Sequence, residues 1–194
     1  MIRTGETLEN PVTGEKITFL ATSGDTDGEA VVIETVVRPK GFVAAAHVHP
    51  AQSERFTVVA GALGLKVGAA DTTTLEGGES ATVPAGTPHR FWNDGEDEVR
   101  FLCQIRPALQ FESLIETMFG LAADGKTSRK GMPNPLRLAV IAKAHFDTVQ
   151  LPFPPAWVQR AGLFVGAPLG RLLGYAPTYA PGGVPGSLVW EAGR

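Results

Sequence analysis

The first 107 residues consist of short apolar runs separated by turn-forming residues, and this spacing strongly constrains the fold. The runs are rich in Val, Ile, Phe and Thr, and many alternate apolar with polar residues, as strands with one buried face do. They predict eight strands, at residues 17–22, 30–38, 43–49, 55–60, 63–67, 80–83, 89–92 and 99–106. Short strands at this spacing, with no helical periodicity between them, indicate an antiparallel sandwich or barrel.

The pattern changes after Pro107, where apolar residues begin to recur every three or four positions. That period is typical of amphipathic helices, and proline stands at the start of two of the segments. Pro168 is expected to kink or end the last helix, because it lacks an amide hydrogen and clashes with the preceding turn. The sequence predicts three helices, at residues 111–122, 136–146 and 155–173.

The fold class is therefore mainly β, with two regions: a β-barrel over residues 1–107 and a helical, Pro/Gly-rich extension over residues 108–194. A Pro/Gly-rich loop is expected at residues 174–186. The longest charge-free stretch, residues 172–190, is interrupted by prolines and glycines and cannot form a continuous membrane-spanning helix. The amphipathic helices of the extension could cover the barrel, cap its mouth or pack against a second subunit.

Charge and cysteine content exclude several classes of partner and site. The 17 Lys and Arg residues against 20 Asp and Glu give a net charge of −3, which offers no basic field for nucleic acid or an anionic membrane. Cys103 is the only cysteine, so an intramolecular disulfide and a cysteine-clustered metal site are excluded. The chain opens with no basic-then-apolar run of a secretory signal, and we expect a cytoplasmic protein.

The first informative motif reads Gly41-x5-His47-x-His49-x4-Glu54-x6-Gly61. Two histidines two residues apart on a strand direct both imidazoles to the same face. The four residues from Pro50 can turn the chain, so that Glu54 returns on a neighbouring strand beside them. Imidazole nitrogens with one carboxylate suit a divalent transition metal better than calcium or magnesium.

The second motif reads Gly78-x5-Pro84-x-Gly86-x2-His89-x3-Asn93. Its Pro-Ala-Gly sequence forms a tight turn that places His89 at the start of the next strand. His89 would supply a fourth ligand if that strand lies across the barrel from the two histidines of the first motif.

Together these stretches resemble the two signature motifs of the cupin superfamily, in order and 16 residues apart. The resemblance covers roughly residues 5–107 and implies a single-domain cupin, a small jelly-roll barrel followed here by a helical extension. It also implies one divalent transition metal (Fe, Mn, Ni, Zn or Cu) held by His47, His49, Glu54 and His89. Single-barrel cupins often pair, so the resemblance makes a homodimer the expected assembly.

Strand alternation predicts the wall of the barrel cavity. Residues that share the parity of the candidate ligands, and the apolar residues of the strand at 99–106, should point inward. The predicted substrate pocket comprises Val43, Ala45, Phe56, Val58, Phe91, Phe101, Cys103 and Ile105. Its apolar character favours an apolar or aromatic small molecule over a phosphorylated one. His145 lies outside both motifs, and we expect it to have a packing or surface role.

A complete ligand set in an apolar pocket indicates a metal-dependent oxygenase, and we expect a dioxygenase acting on a small aromatic or apolar substrate. In that hypothesis Glu54 is an anionic ligand that can also act as a catalytic base. Two other functions are open at this stage. The same metal can act as a Lewis acid for isomerisation, cyclisation or lyase chemistry, or the barrel can bind a small molecule without catalysis.

Overall fold

Two antiparallel sheets form the β-region in the computed structural model, which describes residues 2–180. The strands in that described part are β1 (Thr7–Asn10), β2 (Glu15–Ala21), β3 (Val31–Val37), β4 (Ser53–Ala60), β5 (Ala62–Val67), β6 (Thr73–Glu76), β7 (Ser80–Val83), β8 (His89–Trp92) and β9 (Val99–Arg106). The first sheet has six strands in the order β1-β2-β3-β9-β4-β7, and the second has three in the order β6-β5-β8.

The core lies between the sheets because alternate residues of the central strands are apolar. In β3, Val31, Ile33, Thr35 and Val37 are buried, and the residues between them are partly exposed. β9 lies beside β3 with Cys103 opposite Ile33, so the two strands present one continuous inward face. Burying each large apolar side chain contributes about 1.5–3 kcal/mol, and this alternation fixes the register of the sheet.

Residues 43–49 differ from the prediction, because they form no regular strand. They run beside β8 and make single bridges, Phe42 to Trp92 and His47 to His89. Three successive alanines, which have low strand propensity, and Pro50, which has no amide hydrogen, account for the incomplete ladder. Two short strands, β1 and β6, were not predicted, because each has only one buried residue and so no apolar alternation.

The helices are α1 (Phe111–Ala123), α2 (Pro135–Ala144) and α3 (Ala156–Leu172). α3 continues through Pro168, so the expectation that this residue ends the helix is wrong. Close packing of α3 on α2 supports it there: a Cβ atom at Gly170 would lie 2.4 Å from the carbonyl oxygen of Leu136.

A mainly β fold followed by C-terminal helices is therefore confirmed. No helix within residues 2–180 is both long and apolar enough to cross a membrane. Of the predicted loop at residues 174–186, the part from residue 181 onward lies outside the described residues.

Candidate metal centre

Three separate stretches of chain bring the four predicted ligands together. His47 and His49 follow Gly41 on the irregular segment, His89 begins β8, and Glu54 lies in β4 of the opposite sheet. The backbone amides and carbonyls of His47 and His89 bond reciprocally, at 3.0 and 2.9 Å, which fixes these two residues side by side. One ligand atom from each of the four residues lies within 4.8 Å of the others.

Every one of the three imidazoles hydrogen-bonds a backbone carbonyl through Nδ1. The His47, His49 and His89 rings donate to the carbonyls of Ala45 (2.9 Å), Thr148 (2.6 Å) and Thr87 (3.1 Å) respectively. A carbonyl oxygen can only accept, so the proton stays on Nδ1 and Nε2 is left with its lone pair. This is the tautomer that a metal ligand needs, and such outer hydrogen bonds also orient ligand histidines.

Glu54 completes the cluster through contacts to two of the rings. Its Oε2 lies 2.5 Å from Nε2 of His89, and its Oε1 lies 3.6 Å from Nε2 of His49. Both atoms of the shorter contact are buried, and within residues 2–180 neither has a partner in normal hydrogen-bond geometry. Buried polar atoms without a partner are costly, and a cation between them would satisfy both. The donor set therefore fits a divalent transition metal.

Burial and mutual contact shift the pKa values of three of the four candidate ligands. Burial, reinforced by the neighbouring His49 and His89, lowers the pKa of His47 to about 3, so its ring is neutral. For Glu54, burial raises the pKa, but the three neighbouring imidazoles outweigh burial and lower it to about 2. Burial likewise opposes the charged form of His89, but contact with the Glu54 carboxylate raises its pKa above the ordinary value. The metal-free cluster thus offers the Glu54 carboxylate and the Nε2 lone pair of a neutral His47, whereas a bound metal must displace a proton from His89.

The helical extension is attached beside this cluster. The carbonyl that accepts from His49 belongs to Thr148, and the backbones of Val48 and Gln150 bond to each other in both directions, at 2.8 and 2.9 Å. Gln52 lies 3.1 Å from the same His49 nitrogen through its Oε1. The extension therefore caps the barrel at the end that holds the candidate ligands.

A cavity of about 560 Å³ opens from the cluster into the barrel, within the usual range for small-molecule sites. Six predicted lining residues border it: Val43, Ala45, Phe56, Phe91, Phe101 and Cys103. Val58 and Ile105 do not border it, although both are buried as parity requires and belong to the hydrophobic core. Residues of all three helices complete the wall.

Comparison with known proteins agrees with this architecture. The sequence model of the cupin domain, Cupin_2, matches residues 33–105, which contain all four candidate ligands. Residues 33–105 form a cupin domain.

Individual relatives of this chain are distant. The probable oxidoreductase virH of Hypocrea virens is 26% identical over 149 residues, which are 69% of this chain and 65% of the relative's length. A double-stranded β-helix protein from Klebsiella pneumoniae has 22% identity and a TM-score of 0.43, over 56% of this chain and 84% of its own. An RmlC-like cupin from Shewanella frigidimarina has 18% identity and a TM-score of 0.47, over 56% and 88%.

Two further residues singled out in the sequence lie in the interior. Cys103 is buried in the cupin core and its Sγ is 4.0 Å from Glu54 Oε1, while burial and the Glu54 charge raise the pKa of the thiol. His145 is also buried, after the end of α2, between the carbonyl of Ile141 and the hydroxyl of Ser113. It therefore has the packing role that the sequence indicates.

A polar group at the other end of the cavity was not predicted from the sequence. Asn10, Glu15 and Thr35 border the cavity and are buried. Glu15 stands at the start of β2, before the apolar run that was predicted to form the strand. Extending the inward parity of Ile17 and Phe19 back by one step would have identified it.

Proposed function

We propose that this protein is a metal-dependent oxygenase of the dioxygenase type that acts on a small aromatic or apolar substrate. One observation carries the proposal: three imidazoles and one carboxylate converge, and His47, His49 and Glu54 of this cluster border a mostly apolar cavity. The name of the Hypocrea virens relative, a probable oxidoreductase, agrees with redox chemistry, although the match spans only 65% of that protein.

In this proposal His47, His49, His89 and Glu54 hold the metal. When bound, a redox-active divalent ion such as iron supplies a centre that exchanges single electrons with dioxygen and an organic molecule. The carbonyls of Ala45, Thr148 and Thr87 keep each imidazole in the ligand tautomer throughout.

The aromatic wall would bind and orient the substrate. The rings of Phe56, Phe91 and Phe101 lie with centroids 5.4–5.9 Å apart, and Phe56 is also 6.3 Å from the ring of His89. A flat aromatic molecule packs favourably against such rings, in offset or edge-to-face arrangements. The same wall, closed by the helices of the extension, would exclude water from the reacting end.

Glu54 would have two duties. Its lowered pKa keeps the carboxylate anionic, as a ligand to a divalent ion requires. If Glu54 leaves the metal during turnover, its carboxylate would also accept a proton from the substrate.

Oxygen consumption tests the proposal. Protein loaded anaerobically with Fe(II) is mixed with candidate phenols or 1,3-diketones, and dioxygen is followed with an electrode. We expect uptake by the wild type, no uptake above background by His49→Ala, and wild-type uptake by His145→Gln, which alters the one histidine outside the cluster.

Two results would replace the dioxygenase proposal with another function. Anaerobic turnover with zinc or nickel would identify non-redox isomerase, cyclase or lyase chemistry. Tight binding of a ligand that mass spectrometry recovers unchanged would identify a binding barrel without catalysis.

Metal content is the independent test of the site. Protein purified without chelator should contain a transition metal by elemental analysis, and the His47→Ala/His49→Ala double variant should contain none. Equal metal content in the two proteins would contradict the assignment of the ligands.

We also propose a cytoplasmic homodimer that pairs through α3. This helix and the loop before it expose Phe153, Trp157, Phe164 and Leu172, each by 74–83% of its surface. Large exposed apolar patches commonly mark protein interfaces. Light scattering should give twice the mass of the chain for the wild type and the monomer mass for Trp157→Glu/Phe164→Glu.

A further inference from the structure

The cavity has a second polar end, formed by Asn10, Glu15 and Thr35. All three are buried, with 1–6% of their surface exposed, and all three border the cavity that contains the candidate metal ligands. The proposed chemistry uses none of them. A buried carboxyl group on the wall of an apolar cavity is therefore unexplained by the metal centre.

The strand register places Glu15 far from the cluster. Glu54 is opposite Ile105, which is opposite Val31, while Glu15 is opposite Val37 at the other end of β3. The two positions on β3, Val31 and Val37, are six residue steps apart, which corresponds to about 20 Å along the strand. Side chains from both ends shorten this gap, and the remaining length suits an elongated molecule of one or two rings.

Glu15 has one protein partner for its two carboxyl oxygens. The hydroxyl of Thr13 donates to Oε2 at 2.7 Å, and no other donor or cation within residues 2–180 contacts the carboxyl group. Burial raises the pKa of Glu15 to about 7, only partly offset by the Thr13 bond. A buried carboxyl with an available oxygen gains most from a donor that a ligand brings into the cavity.

We propose that Glu15 binds a hydrogen-bond donor, a hydroxyl or amino group, at the end of the substrate remote from the metal ligands, and thereby selects substrates that carry one. The inference rests on the proposed function, which places the reacting end of the substrate at the cluster. The substrate would then need a hydrogen-bond donor at its far end, in addition to an apolar body that fits the rest of the cavity.

Binding of two matched probes tests this inference. 4,4′-Dihydroxystilbene and 4-hydroxystilbene share the phenol that reaches the metal end and differ by the second hydroxyl. Their dissociation constants are measured by calorimetry, without oxygen so that no turnover occurs, for the metal-containing wild type and the variants Glu15→Leu and Glu15→Gln. Glu34→Gln, on the outward face of β3, is the control.

We expect the wild type to bind the diphenol at least about tenfold tighter than the monophenol, as a hydrogen bond to a carboxylate allows. Glu15→Leu should reduce this ratio to about one. Glu15→Gln, of nearly identical shape, should keep part of the ratio because its amide oxygen still accepts, and Glu34→Gln should keep all of it.

The outcomes separate this inference from the proposed function. An equal affinity of the wild type for both probes, with oxygen uptake intact, overturns the role of Glu15 and leaves the oxygenase proposal standing. An undiminished ratio in both Glu15 variants also overturns it, and Glu15→Gln decides if the leucine variant does not fold. Failure of the wild type to bind either probe contradicts both the aromatic substrate class and this inference.

Discussion

The two ends of the cavity each contain a buried glutamate, and the two side chains behave in opposite ways. Glu54 and Glu15 are exposed by only 5% and 6%, so burial penalises both charges similarly. Three imidazoles surround Glu54 and lower its pKa to about 2, whereas Glu15 has only the Thr13 hydroxyl and a pKa of about 7. Burial by itself therefore does not determine whether a carboxyl group is ionised. The charged and hydrogen-bonding groups that contact the carboxyl group decide this.

The largest difference between the two ends of the cavity is expected in metal affinity, when each carboxylate is removed in turn. Glu54→Gln should weaken metal binding by more than about a hundredfold, because the loss of an anionic ligand exceeds the 10–100-fold cost of losing an outer partner. Glu15→Gln should bind metal like the wild type, since it lies far from the cluster. Metal affinity is measured by competition with a chelator, and similar losses in the two variants would contradict the assignment of Glu54.

The pH dependence of stability should also differ between the two glutamates. Because the folded pKa of Glu15 is above its unfolded value of 4.5, the folded state binds the extra proton and loses stability as pH rises from about 4.5 to 7. Glu15→Gln should therefore stabilise the protein at pH 8, by up to about 3 kcal/mol, and have no such effect at pH 4. Denaturant unfolding measures this, with Glu34→Gln as the control.

The sign is reversed at Glu54 in protein stripped of metal. Its folded pKa of about 2 is below the unfolded value, so its contribution is complete above about pH 4.5 and is lost as pH falls toward 2. Glu54→Gln should flatten the stability profile in that acidic window, and it should also change the profile near neutral pH, because the pKa of His89 is no longer raised by the carboxylate. An unchanged acidic slope would contradict the interaction between Glu54 and the imidazoles.

An intermediate effect is expected at Gln52, which supports the metal end from outside. Its side chain contacts His49 Nδ1 and donates to the carbonyls of Pro107 and Ala108, at 2.8 and 2.9 Å. Gln52→Leu should weaken metal binding about tenfold, because the ring loses one of its two orienting acceptors. The chelator competition detects this, and wild-type affinity would show that the Thr148 carbonyl suffices.

The smallest effect should come from the single partner of Glu15. Thr13→Val removes the donor to Oε2 but keeps the shape of the side chain. We expect a loss of about 1 kcal/mol at pH 8, where the carboxylate is charged, and a further rise in the pKa of Glu15. The same unfolding series measures both, and a loss that does not vary between pH 5 and 8 would argue for packing instead.

The metal end was accessible to sequence reasoning because its determinants are local. His47 and His49 share a face by strand parity, and the motifs place Glu54 and His89 at fixed spacings from turns. The barrel strands and the three helices follow from alternation and period in the same way. Pairing across the barrel, which brings His89 beside His47, required the resemblance to a known fold.

The far end was not accessible, because its determinants are distributed along the chain. Strand alternation correctly predicted that Val58 and Ile105 are buried, but not that they lie outside the cavity wall. Alternation shows which face of the sheet a residue is on, and does not show whether the cavity reaches that residue. Glu15 was not predicted, because a charged residue just before an apolar run is also typical of a turn. The Thr148 carbonyl is 99 residues from His49 in the chain, and a backbone acceptor leaves no side-chain signal.

The hydrogen bond between Thr148 and His49 couples the docking of the extension to the candidate metal site. Whatever stabilises the docked extension pre-orients a ligand, and a bound ion in turn must strengthen the docking by the same free energy. A fragment that ends after β9 would retain all four candidate ligands. Without the Thr148 carbonyl, however, the free energy of ordering the His49 ring would count against metal binding. The strands and the helices are thus separate parts of the architecture, but the candidate site depends on residues from both.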